Sequence, residues 1–588
     1  MPRAPLFLTG ILSLVPALLT AEAEAWGQGP DQSPGLARRF PEGTVLYVEG
    51  TGLSELFDDG LGHPFVQAFF ATKLGRTLTS TASPEDWLAF VNSTLGRSAL
   101  EGLAELTANG VAFGLAGDKE DPQAALVLCA ESAGVADDIR EDIFNLLEDK
   151  TDHPGALDRP HATLDGASFW NIGEALVVQR GAQIIFGNSR DYALAIDACS
   201  EKSGERNLVS REGFRDLYGA RSEAGLLWAY ADRRAIEQSF DTELHQLAAG
   251  NEDPAVHTLL GSQLGALATA QTVTAELSLG ANELHLSVRG FDTDGAATLL
   301  PQNSAPIPPA LESEDDLVNG LIYRDFAAIL TQGSDLFSPR KVPKLAEAES
   351  QLSLFFGGQE VGEKVLPHLS PWLRLISRPL NFSTGPKPEI PLPGLALIGK
   401  LEQPERSGPQ FLAAFQSIVS VIGVDQAQKQ GRPFLLSVGQ EGRIPISVAR
   451  FLDPYEGDGI DMRYNLRPAC AIVGDALILG THEELVRELI RELESLHSPA
   501  TAASESLHID GPALAELIQA NFEALVMNKV LEDGVSIEKA REEIGGLEML
   551  AHSLRTLRID LPSSGKDRVV FSLRAELASE TANPEEVR

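Results

Sequence analysis

The chain has 588 residues, 43% of them hydrophobic and 22% charged, the composition of a folded protein long enough to build two or more cores. Its 84 acids against 47 Lys and Arg give a formal net charge of −37, and because such a surface repels phosphate backbones, nucleic acid is not an expected partner. Cys129, Cys199 and Cys470 are too few and too far apart for a stapled framework or a CxxC zinc or redox site, although a Cys199–Cys470 bridge stays open.

The chain opens as a secretory signal does. Arg3 precedes an apolar run from Leu6 to Leu19, and the run gives way to Ala21-Glu22-Ala23-Glu24-Ala25, where small residues alternate as a signal peptidase requires. Residues 1–25 are therefore read as a signal peptide, with Trp26 the first residue of the product. An uncleaved anchor needs about 20 apolar residues to cross a bilayer, and this run is shorter and holds Pro16. The expected product is soluble and periplasmic or extracellular, with no membrane span after cleavage. Residues 26–40 read as a flexible segment.

In the body of the chain, Ser83-Pro84-Glu85-Asp86 starts a helix carrying Trp87, Val91 and Leu95. A second helix, with Leu100, Leu103 and Leu106, ends at Asn109-Gly110. Strands are expected at 110–116 and 124–130, then as a hairpin at 175–180 and 183–187, and as a closing hairpin at 271–279 and 283–290. Hairpins mixed with single long helices predict an α+β fold with largely antiparallel sheets and helices packed on one face.

Five short blocks recur in the same order in residues 41–291 and 315–577. Leu46-Tyr47 answers Ile322-Tyr323. Ala125-Leu126-Val127-Leu128 answers Leu395-Ala396-Leu397-Ile398. Each of these latter runs leads into a helix, with Val135, Ile139, Ile143 and Leu147 in the first and Phe411, Phe415, Ile418 and Ile422 in the second. Gly187-Asn188-Ser189 answers Gly480-Thr481-His482, Tyr230-Ala231-Asp232 answers His508-Ile509-Asp510, and Leu286 to Arg289 answers Phe571 to Arg574. Two similar α+β repeats are predicted, 41–291 and 315–577, joined by a Pro-rich linker at 292–314 and followed by a charged tail at 578–588.

No residue presents itself as catalytic, cofactor-binding or metal-ligating. Gly394 to Lys400 has phosphate-loop spacing, but Leu401 stands where Ser or Thr must hold magnesium, and the four intervening residues are apolar, as in a buried strand. HExxH and GxSxG are missing. His482-Glu483-Glu484 reads as a helix start, Asp232 and Asp510 as N-caps, and Gly187 and Gly480 as tight strand-to-helix turns. His153 and His161 share no regular element that would make them metal ligands.

The opening Phe40-Pro41-Glu42-Gly43-Thr44-Val45-Leu46-Tyr47-Val48, the Gly187-Asn188-Ser189 turn and the Phe214…Tyr230-Ala231-Asp232 segment resemble a family of large exported bacterial proteins known only as a domain of unknown function. The resemblance covers most of the first repeat, and the second more faintly, and implies an envelope or secreted location with no known cofactor. The expected function is a non-enzymatic binding or scaffolding role toward an envelope or extracellular partner. The alternatives are an exported hydrolase with a noncanonical site and a carrier of an apolar ligand.

Overall fold

The computed structural model describes residues 35–51, 107–148, 159–172, 175–201, 206–221, 225–240, 270–280, 282–293, 305–311, 313–332, 342–380, 390–428, 434–451, 465–496, 505–561 and 568–578. Residues 1–25, read as a signal peptide, most of the two helices expected between 83 and 109, and nearly all of the expected charged tail lie outside them.

The first part of the chain runs β1 (Leu46–Gly50), β2 (Val111–Gly117), β3 (Pro122–Cys129), α1 (Ala133–Glu148), β4 (Ala162–Leu164), β5 (Ala167–Ile172), β6 (Ala175–Arg180), β7 (Gln183–Gly187), α2 (Arg190–Glu201), α3 (Glu212–Gly219), β8 (Gly225–Asp232), α4 (Arg233–Phe240), β9 (Ala270–Gly280) and β10 (Glu283–Thr293). The second part runs β11 (Val318–Tyr323), α5 (Phe326–Thr331), α6 (Val342–Phe355), α7 (Val361–Lys364), β12 (Leu369–Arg378), β13 (Gly394–Leu401), α8 (Pro404–Gln428), β14 (Phe434–Glu441) and β15 (Ile444–Phe451). It ends with β16 (Ala469–Val473), β17 (Ala476–Gly480), α9 (Glu483–Ser495), β18 (Glu505–Asp510), α10 (Gly511–Ala520), α11 (Phe522–Asp533), α12 (Ile537–Ser553), β19 (Leu554–Leu561) and β20 (Arg568–Leu577).

The expected strands and hairpins form where their periodicity places them. At the turn between β6 and β7, Gly181 takes φ 57°, a left-handed conformation that glycine adopts without the steric cost a Cβ would bring.

The twenty strands among the described residues join in one antiparallel sheet, in the order β4-β5-β6-β7-β3-β2-β1-β8-β9-β10, then β20-β19-β18-β11-β12-β13-β17-β16-β15-β14. The expected separate sheets are thus a single one, because the outer edge of β10 pairs with the outer edge of β20 from residue 283 against 576 to 291 against 568.

Helices lie on both faces of this sheet, which corrects the one-face expectation. On one face, the 3-10 turn Leu36–Arg39 with α2 and α3 buries Leu36, Ala193, Ile196 and Phe214 against Tyr47, Val127 and Tyr230. At the far end of the same face, α9 buries Leu485, Val486, Leu489 and Ile490 against Ile398, Ile446 and Ile478. The opposite face receives Ala136 and Phe144 of α1 over Val177 and Ile184, and Phe411, Leu412 and Phe415 of α8 over Cys470 and Leu477. Two helical stripes are needed because apolar side chains alternate to both sides of the strands.

Pro404–Asp425, within α8, has the length and apolarity of a membrane-crossing helix, contrary to the expectation that no later segment would. Its Phe411 and Phe415 face packs on the sheet, and Gln416 donates to Ser447 Oγ of β15 at 2.9 Å. Ile307 and Ala305 of the Pro-rich stretch pack on Leu321, Tyr323 and Trp372, while Ser370 Oγ donates to the Pro306 carbonyl.

Candidate functional site

One unbroken row of paired residues crosses the helix-bearing face that contains Tyr47. It reads Phe169, Val178, Ile185, Val127, Ala112, Glu49, Trp228, Glu276, Ser287, Ser572, Asp560, Ser506, Leu321, Arg374, Ile398, Ile478, Ala471 and Ile446. The two ends are apolar and lie beneath helices. The middle, from Glu49 to Arg374, is polar except for Trp228 and Leu321, and within it Glu49, Glu276, Ser287, Ser572 and Arg374 are buried.

Glu49 anchors one side of this middle. Its carboxylate is buried, with 4% of its surface exposed, and accepts hydrogen bonds from Tyr47 Oη at 2.6 Å, Tyr218 Oη at 2.8 Å and Arg221 Nη1 at 2.5 Å. Burial raises its pKa, against the opposing pull of Arg221 and the two phenols. Arg221 in turn lies 3.9 Å above the Tyr218 ring. Beside this group is a cavity of about 70 Å3 lined by Arg221, Trp228, Thr274, Glu276, Ser287 and Arg289, roofed by Leu217 and Ala220 at the end of α3. That is room for water, not for an organic ligand.

On the other side the roof stops. α9 ends at Ser495 and β18 begins at Glu505, and among the described residues no helix like α3 stands between them. Among the described residues, the strands β20, β19 and β18 thus leave an open shelf. Across it His285, Arg574, Arg558 and His508 pair in one row on four adjacent strands, spaced by about 4.8 Å per strand. Arg574, Arg558 and His508 are exposed. Arg558 Nε donates to both oxygens of Asp560 at 2.9 and 3.0 Å, and Arg289 Nε to Ser287 Oγ at 3.2 Å. Burial, reinforced by Arg574, lowers the His285 pKa. His285 Nε2 stands 2.8 Å from Ser572 Oγ, which puts a base beside a hydroxyl contributed by the other half of the chain. Ser572, however, sits inside a strand paired on both sides, so the backbone amides around it serve the sheet ladders and none is turned out as an oxyanion donor.

The residues singled out from the sequence fall elsewhere. Asp232 Oδ1 accepts from Ala235 N at 2.9 Å and Asp510 Oδ1 from Ala513 N at 2.8 Å, so both are helix caps. Gly394 to Lys400 lies in β13, and Lys400 pairs with Asp475 at 3.1 Å. His482 is the buried N-cap residue of α9. Glu483 follows it, held by Arg450 at 2.7 Å and Arg487 at 2.6 Å.

Asn188 Oδ1 accepts from Ala124 N at 2.7 Å, and Thr481 Oγ1 accepts from Leu395 N at 2.9 Å. Both thus close a strand start rather than cap a helix, a role the sequence did not suggest. His161 Nδ1 faces the Asn171 amide at 3.5 Å, and His153 is outside the described residues. All three cysteines are free, so Cys199 of α2 and Cys470 of β16 form no bridge, and burial pushes the Cys470 thiol up to about 12. The shelf residues were missed because each sits in an ordinary alternating strand. The available signal was the polar parity of Thr272, Thr274, Glu276, Ser278 and of His285, Ser287, Arg289.

No family model matches the sequence, and comparison with curated proteins finds no match. Among solved structures, crystal form I of TP0453 aligns with 8% identity and a TM-score of 0.23, covering 45% of this chain and 81% of that one. A likeness at that level carries no argument.

Proposed function

We propose that this chain is an exported, non-enzymatic binding or scaffolding protein built by duplication of one α+β unit, and that its binding surface is the open polar shelf over β10, β20, β19 and β18. The observation that carries the reading is the polar middle of a row with apolar ends, left without a roofing helix on the β20, β19 and β18 side among the described residues.

Duplication is supported by the strand order, since adding ten to each label of the first sequence of strands reproduces the second. It is also supported by register. Matching Asp232 to Asp510 and following the pairings through β1, β2 and β3 brings Gly187 onto Gly480, and following them through β9 brings Arg289 onto Arg574. Three of the five sequence blocks keep the alignment read from sequence. The other two shift: Leu46 matches Val318 rather than Ile322, and Ala125 matches Ala396 rather than Leu395. Ser287 and Ser572 match one another and are also paired to one another, so a pseudo-twofold axis passes between them.

A surface of guanidinium and imidazole donors on a chain of net charge −37 favours a partner that offers carboxylate or phosphate oxygens. Location outside the cytoplasm rests on the signal-like residues 1–25, and recovery of a product beginning at or near Trp26 checks it by mass spectrometry. The shelf is tested by calorimetric titration with hexaglutamate and, separately, inorganic pyrophosphate. The reading expects salt-sensitive binding of at least one that is lost in Arg558→Ala/Arg574→Ala; no binding of either to the folded protein defeats it.

A second reading, an exported hydrolase, is favoured by the His285–Ser572 hydrogen bond between the two halves. Turnover of a p-nitrophenyl ester that disappears in Ser572→Ala would select it.

A further inference from the structure

We propose that the chain associates with a second copy of itself through the outer edge of β14, so that two sheets continue into one another across a twofold axis. Among the described residues the sheet has two terminal strands, and they are unlike. β4 is three residues long, a common way of blunting an edge. β14 has eight residues, Phe434-Leu-Leu-Ser-Val-Gly-Gln-Glu441, with no proline and no charge before Glu441. Among the described residues it pairs only with β15, so an edge about 26 Å long offers alternate amides and carbonyls outward. Such a strand is a template for another strand.

Side chains give the edge a second layer. Leu436 pairs with Ala449 and Val438 with Ser447, on the face where Gln416 of α8 reaches Ser447, so both point to the α8 side. Leu436 is 38% and Val438 70% exposed, and beside them Val421, Ile422 and Val424 in the last turns of α8 are 54%, 41% and 58% exposed. A strand edge and a helix flank, both apolar and side by side, are what a two-layer sandwich leaves when it is cut between copies. Burial of these five side chains together with the edge gives association a hydrophobic driving force as well as a hydrogen-bonded register.

A second copy is the occupant favoured because the same kind of joint already exists within the chain. β10 and β20, the last strands of the two halves, pair edge to edge in antiparallel register. An antiparallel β14–β14 contact needs no sequence that the protein does not supply. Two chains each of net charge −37 repel one another, so association should strengthen as ionic strength rises.

Sedimentation velocity of the full product over a concentration series tests this, with Val438→Lys and Leu436→Lys compared with wild type and circular-dichroism melts confirming that each variant is folded. The expected result is a salt-strengthened dimer whose dissociation constant rises about tenfold or more in either variant. Oxidative cross-linking of Val438→Cys should join two chains, and amide exchange across 434–441 should slow as concentration rises. A monomer at every concentration, or a dimer indifferent to both lysines, overturns the proposal. So does concentration-independent protection of 434–441, which would mean that the edge is covered by the chain's own residues.

Discussion

Gly480 ends β17 where α9 turns back across the sheet, and replacing it with alanine tests how closely the helix is seated. A Cβ built there lies 2.5 Å from Val486 Cγ2, 3.4 Å from the His482 carbonyl oxygen and 3.7 Å from that of Leu395. Val486 is fully buried among Ile446, Ile478 and Leu489, so its methyl has nowhere to rotate and the first turn of α9 must lift. Overpacking of this kind costs about 1–3 kcal/mol, and Gly480→Ala is expected in the upper half of that range. Gly187, at the end of β7, is milder: there the new Cβ meets Ala193 Cβ at 3.0 Å, and Ala193 occupies the place that Val486 holds beside Gly480. Gly187→Ala should cost about 1 kcal/mol. Val486→Ala removes the obstructing methyl, so Gly480→Ala/Val486→Ala should be more stable than the sum of the single effects by about 1–2 kcal/mol. Urea unfolding followed by circular dichroism reads all four proteins against wild type. Gly480→Ala unfolding at the wild-type midpoint, or strictly additive effects of the two changes, would refute the close-seating argument.

Two further outcomes depend on pH. The His285 pKa is lowered in the fold by burial and by Arg574, so the unfolded chain binds the proton more readily; stability is held above the ordinary histidine range of about 6.5 and is lost as pH falls through the folded value. Thermal melts of His285→Gln, which keeps a partner for Ser572, should lose part of the wild-type decline below about pH 6.5. At Glu483 burial alone would raise the pKa, but hydrogen bonds from Arg487 and Arg450 outweigh it and hold the carboxyl below its usual value. Its contribution is therefore present above about pH 4.3 and is lost as pH falls through the folded value. Glu483→Gln should cost about 2 kcal/mol at neutral pH and much less at acid pH, as read by denaturant midpoints.

The sequence determined the local elements because their signals are local. The 3.6-residue spacing of Val135, Ile139, Ile143 and Leu147 marks α1, and that of Phe411, Phe415, Ile418 and Ile422 marks α8. The alternation in Leu284 to Val288, the caps at Asp232 and Asp510, and the apolar filling of the false phosphate loop at Gly394 to Lys400 were likewise legible. Block order pointed to a correspondence of β7 with β17 and of β10 with β20, on which the proposed duplication rests. Register was less secure. Under that duplication the first two blocks slip by four residues and by one, because short apolar strings such as Ala125 to Leu128 fit several alignments equally well.

Only the tertiary structure decided that the two sheets are one, since the pairing of β10 with β20 joins strands nearly three hundred residues apart and nothing in either strand names its partner. It also decided where the polar middle lies. His285, Ser287, Ser572, Asp560 and Arg558 come from strands that are unremarkable singly. They become a shelf because the joint aligns their polar faces and because, among the described residues, no helix roofs that face as α3 does on the other side. Periodicity reports which side of a strand is polar; which strands lie side by side, and what covers them, is settled by long-range pairing and packing.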